Sequence, residues 1–219
     1  SSPVMDWVPS YVEGADAGSM KLIASRIVLD GDLLGSVVTG PFQTEKNEPT
    51  NELGLLMARG RRAPRAGRVE IGDPQDSAFP QSIDRVVHEI VLAANLSSLP
   101  EDFGPTDPIP AYYGEGRGGP MATVLDASKF AAAGLDSLGL YANTLVKTSP
   151  DASLVLAPGG SLAMKARSIQ HFGNIEVPAG SVRIETRDNV TSALVELGAG
   201  SSNHVVSQVS LFRQAQDPR

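Results

Sequence analysis

No cysteine occurs anywhere in the sequence. That one absence excludes disulfide scaffolds, thiolate zinc sites, iron–sulfur clusters and cysteine nucleophiles. Aromatic residues are scarce too, at 5% with a single tryptophan, so a core built from this chain has to be aliphatic. No apolar run approaches the roughly 20 residues of a membrane-spanning helix, which predicts a soluble protein with no membrane partner. An excess of positive charge is also missing. The formal net charge of -7 argues against a surface that wraps nucleic acid over its whole extent.

Catalytic and cofactor signatures are missing as well. His88, His171 and His204 stand at no metal-ligand spacing. His88-Glu89 opens like a zinc-protease motif, but Leu92 occupies the place of the second histidine ligand. No Gly-x-Ser-x-Gly elbow occurs. Gly114–Gly119 is glycine-rich but lacks the Gly-Lys-Ser/Thr ending of a phosphate loop. The sequence therefore predicts no metal and no cofactor, and leaves an enzyme open only through residues assembled in three dimensions. For a hydrolase or transferase of that kind, Asp136, Ser137, His171 and His204 are the candidates.

Glycine and proline, by contrast, are plentiful, at 22 and 16 residues. In the last third they cut the chain into short pieces: Ser153–Ala157, Ser161–Ala166, Ile175–Val177, Ser181–Thr186, Thr191–Leu197 and His204–Phe212. Ser181–Thr186 sets Val182 and Ile184 against Arg183 and Glu185, the alternation of a half-buried strand. Thr191–Leu197 groups Ala193, Val195 and Leu197 on one face. No piece is long enough for a helix between its breaks, and the tight turns predict antiparallel pairing. Earlier in the chain, Ser19–Leu29 and Leu33–Val38 flank Asp30-Gly31 and predict a hairpin. Leu53–Ala58 and Arg68–Ile71 predict a second strand pair.

Helices are expected at three places. Ser82–Asn95 carries an apolar stripe at helical spacing, although its Val-Val-His-Glu-Ile-Val run is also β-prone. Asp126–Ala133 has a capping aspartate ahead and Gly134 behind. Leu138–Lys147 predicts a further short helix. Between these, Gly134-Leu135-Asp136-Ser137-Leu138 resembles the attachment motif of acyl carrier proteins, in which the serine carries a phosphopantetheine arm. The resemblance covers about ten residues. The β-type segments that follow do not complete a small helical bundle, so a helix-to-helix turn is the reading taken.

The expected fold is mainly β: an antiparallel β-sandwich or barrel-like domain with one to three short helices and long Gly/Pro loops, the alternative being a two-layer α+β arrangement. Residues 1–18 read as an extended arm, 19–213 as one domain with a long inserted loop at 97–122, and 214–219 as a tail. Trp7 and Tyr11 on the arm, with Tyr112 and Tyr113 on the loop, are candidate inter-subunit contacts.

Five of the 18 basic residues fall within ten positions of a Gly/Pro-broken loop: Arg59, Arg61, Arg62, Arg65 and Arg68. Guanidinium groups grip phosphate or carboxylate oxygens in pairs, so the loop is a candidate for phosphate or for an acidic partner, nucleic acid included. Together these features predict a structural, self-assembling subunit, such as a coat or coat-associated virion protein, contacting copies of itself or other shell proteins. A β-sandwich binding module for glycan or protein is the third expectation. Localisation is left open by the sequence, and is the virion if the assembly reading holds.

Overall fold

The described segments between the Gly and Pro turns do form strands, and every pair of them runs parallel; the strand expected over His204–Phe212 lies outside the described residues beyond residue 205. The computed structural model describes residues 12–43, 62–74, 87–104, 106–113, 122–186 and 194–205. The described strands are β1 (Ser19–Leu22), β2 (Arg68–Ile71), β3 (Glu89–Ala93), β4 (Ala122–Asp126), β5 (Ser137–Tyr141), β6 (Leu145–Thr148), β7 (Ser153–Val155), β8 (Ser161–Ala166), β9 (Ser168–His171), β10 (Asn174–Glu176), β11 (Ser181–Thr186), β12 (Leu194–Leu197) and β13 (Ser202–His204). They make three sheets in the orders β1-β2-β5-β8-β11, β4-β3-β6-β9-β12 and β7-β10-β13.

From β5 onward the chain visits the first, second and third sheet in turn, three times over. That is a coil with three faces, a parallel β-helix, in which each turn lays its strands beside those of the turn before. The expected antiparallel sandwich or barrel is thus replaced by a β-rich arrangement of parallel strands, the pairing otherwise met in α/β proteins. The reason lies in the corners. A hairpin reverses the chain, whereas each corner here only redirects it to the next face, so the next strand in the same sheet returns in the same sense. The corner amides continue the ladder: Thr144 N–H donates to the His88 carbonyl at 3.0 Å and Ser168 N–H to the Thr144 carbonyl at 2.8 Å.

Alternation gives the coil an inside and an outside. On the first sheet Val69, Leu138, Leu162 and Val182 stack in register, as do Ile71, Leu140, Met164 and Ile184. These rows join Ile90, Val146 and Ile169 of the second sheet and Leu154 and Ile175 of the third in one aliphatic core. Outward-facing polar residues stack too. The Ser161 hydroxyl donates to Ser137 at 3.0 Å, Gln170 to Glu196 at 3.2 Å and Asn174 to Ser153 at 3.3 Å.

One helix is described, α1 (Ala127–Ala132). Asp126 caps it by accepting the Ser128 N–H at 2.9 Å, and Gly134, at φ +64°, turns the chain out of it. The helix packs on β7 and buries Phe130 completely, standing in for a strand of the third sheet at the start of the coil. The expected helix over Ser82–Asn95 is instead β3 in its described part. Ile90 and Leu92 face the coil interior, while Val91 and Ala93 join a second cluster with Ala122 and Val124. A strand buried on both faces reads as a continuous apolar run, which periodicity confuses with a helix. The helix expected at Leu138–Lys147 is β5 and β6, so the turn at Gly134–Leu138 joins helix to strand.

The expected hairpin about Asp30-Gly31 is also absent from its place. β1 pairs with β2, and residues 33–38 cross the end of α1, where the Gly35 N–H donates to the Ala133 carbonyl at 2.8 Å and the Gly35 carbonyl accepts from the Gly67 N–H at 2.6 Å. β2 takes β1 and β5 as neighbours. Leu53–Ala58, proposed as its partner, lies outside the described residues. No described helix is long and apolar enough to cross a membrane.

Candidate self-association interface

Three of the five loop arginines are described, and all three lie among carboxylates of their own chain. Arg62 forms an ion pair with Asp16 at 2.6 Å. The Arg65 N–H donates to the same carboxylate at 2.8 Å. The bond from the Arg62 side chain, with the Arg65 N–H and the charges of both residues, holds the Asp16 carboxyl below its usual range. Arg68, exposed on the first sheet, pairs with Glu70 two positions along the strand. Arg59 and Arg61 lie outside the described residues, as do Trp7 and Tyr11.

Tyr112 and Tyr113 form one 3-10 turn (Ala111–Tyr113) against the first end of the coil. The Tyr112 hydroxyl donates to the Ser98 carbonyl at 2.9 Å. Tyr113 is buried, and its hydroxyl donates to Asp30 at 3.0 Å. Burial pushes the Tyr113 phenol well up, and the bond to Asp30 adds to the rise. Asp30 is a hub: it accepts the Leu99 N–H at 3.1 Å and faces Lys129 at 3.5 Å. Partial burial would raise its carboxyl, but these partners outweigh it and the net shift is downward.

The same end is closed elsewhere by polar side chains that meet loop backbone. Buried Thr123 accepts the Ile27 N–H at 3.2 Å, and Asp126 accepts the Leu96 N–H at 2.9 Å. Buried Gln43 accepts from Gly14 and Gly40 at 2.7 and 2.8 Å and donates to Gly14 at 2.9 Å. Ala24, Leu29 and Leu33 pack on the core beneath. The first end has a lid.

At the other end lie β11, β12 and β13. Val195 continues the interior row Ile90–Val146–Ile169, and Leu197 continues Leu92–Thr148–His171. Both positions belong inside the coil, yet Val195 is 44% and Leu197 58% exposed. Val182 and Ile184 are only half-buried where their counterparts one turn earlier are fully so. Among the described residues nothing lies over this end. Grouping Val195 and Leu197 on one face was legible in the sequence; that their strand is the outermost described one was not.

One turn beneath sits His171, fully buried, with Nε2 3.4 Å from the Ser202 carbonyl. Among the described residues its Nδ1 and the neighbouring Thr148 hydroxyl have no partner. Burial lowers the His171 pKa. Ser137 and Asp136 stand at the start of β5 on the first sheet, whereas His171 ends β9 within the core of the second, so the strands keep these candidates apart. His204 ends β13 on the third sheet. Among the described residues no group of three or more histidine and carboxylate side chains could hold a metal. No protein family, curated protein or solved structure matches the chain.

Proposed function

We propose that this chain is a structural, self-assembling subunit that meets copies of itself through the last described turn of its coil. The observation that carries the reading is the exposure of Val195 and Leu197 at positions that are interior everywhere else in the stack. A coil turn buries its inner side chains only under a further layer, and covering two half-exposed aliphatic side chains is worth about 1–2 kcal/mol. The strand edges beside them offer backbone donors and acceptors as well.

A coat or coat-associated virion layer is the setting we propose for it, since symmetric repetition lets weak contacts add. Nucleic acid is the partner proposed for the arginine loop. If it binds there, its affinity falls with salt, and R61A/R62A/R65A flattens that dependence. For self-assembly the test is particle mass by light scattering and negative-stain microscopy. Dimers or larger particles at micromolar concentration are expected, and a monomer at every concentration overturns the reading.

A further inference from the structure

From the interior of the coil we infer an acid-sensitive latch: neutral His171 holds the corner between β12 and β13, residues 198–202, and a proton on its free ring nitrogen releases that corner. The inference stands apart from the self-assembly reading above. Three contacts join the corner to residues 171–173. The Gly198 N–H donates to the His171 carbonyl at 2.8 Å, the Ser202 N–H donates to the Gly173 carbonyl at 3.1 Å, and the His171 Nε2 lies 3.4 Å from the Ser202 carbonyl. The first two are ladder bonds of the kind other corners make. The third comes from a side chain inside the core. A carbonyl only accepts, so the ring proton sits on Nε2 and Nδ1 carries the lone pair.

That lone pair meets no donor among the described residues, and the Thr148 hydroxyl beside it is orphaned too. Thr148 is the register neighbour of His171 on β6. Both are buried, in a row continued by Leu92 on one side and Leu197 on the other. A proton added at Nδ1 therefore sets a cation in an aliphatic core. The charged side chains of the surrounding strands, Lys147 on β6, Glu176 on β10 and Glu196 on β12, take outward positions. Gln170 of β9 holds Glu196 on that outer face at 3.2 Å, and Asp151 in the corner beneath is exposed. None of them is placed to be a counter-ion. An unpaired buried charge costs more than a few corner bonds, so opening, which hands the imidazolium to water, is the outcome. Burial lowers the His171 pKa, and the bond to Ser202 offsets this only in part.

Hydrogen exchange reads the latch amide by amide. After correction for the intrinsic rate, protection of the Gly198 and Ser202 amides should fall about tenfold per pH unit below 6.5. The fall should vanish in H171L and remain in H204Q, since His204, which ends β13, is the other histidine that titrates there. Mild urea separates a local opening from a global one: protection of the β5 and β8 amides should drop with urea, and that of Gly198 and Ser202 should not. On the unaltered chain at about pH 8, ring nitrogen shifts should show His171 with its proton on Nε2, a measurement that stands even if H171L does not fold. Protection of Gly198 and Ser202 that ignores pH, or a fall that persists in folded H171L, overturns the latch. So does a proton on Nδ1 at that pH, or a urea dependence equal to that of β5 and β8.

Discussion

At the first end of the coil, Asp30, Gln43, Thr123 and Asp126 accept hydrogen bonds from loop backbone, and Ala24, Leu29 and Leu33 lie over the aliphatic stack. At the last end, Val195 and Leu197 occupy equivalent interior rows with nothing described above them. The strands are alike in length and alternation, and the difference lies in what covers them. A coil is open at both ends by construction, because each turn satisfies its neighbours and leaves its own outer edge unmet. One end is closed by the chain's own loops, and at the other no described residue covers the last described turn.

Breaking the lid should cost most. Phe130→Ala removes a fully buried ring from α1 and should destabilise the fold by about 3–5 kcal/mol in denaturant unfolding. Asp30→Ala leaves the buried Tyr113 hydroxyl and the Leu99 N–H without their acceptor, for about 1–3 kcal/mol by the same measurement. Because the Asp30 carboxyl is depressed when folded, its contribution is present above a pH of about 3.8 and is lost as pH falls through the lowered value.

His171 sharpens the contrast from inside. Its folded pKa lies below 6.5, so the unfolded chain takes up a proton more readily. Stability is therefore full above 6.5 and declines as pH drops through and below that value. His171→Leu should remove this part of the acid sensitivity, read as the difference in Tm between pH 8 and about pH 5. The smallest effect on stability belongs to the open end. Leu197→Ser should shift unfolding of the dilute chain by no more than about 0.5 kcal/mol, yet weaken self-association in sedimentation. A large loss of stability would show that Leu197 is covered within its own chain.

Much of the strand content was legible. Ser161–Ala166 and Ser181–Thr186 are strands over the lengths expected, and Asp126 with Gly134 brackets the one described helix. β9 went unread because Ser168–His171 follows β8 after a single residue, with no glycine or proline to announce a corner. Repetition was hidden too. Side chains that bond across neighbouring turns are 21 to 28 residues apart, an irregular spacing because corners differ in length while strands stay in register. Of the candidate residues, the described arginines stand beside carboxylates at positions 16 and 70, contacts that no local pattern announces.

What the sequence determined by itself was local: where backbone can extend, where glycine and proline end a strand, and which side chains share a face. Whether a corner reverses the chain or passes it to the next sheet depends on a few backbone angles and on neighbours far along the chain. Parallel pairing, the closed first end and the exposure of the last described turn were therefore decided by the tertiary structure. Alternation is the same in parallel and antiparallel strands, and only the assembled stack gives it a direction.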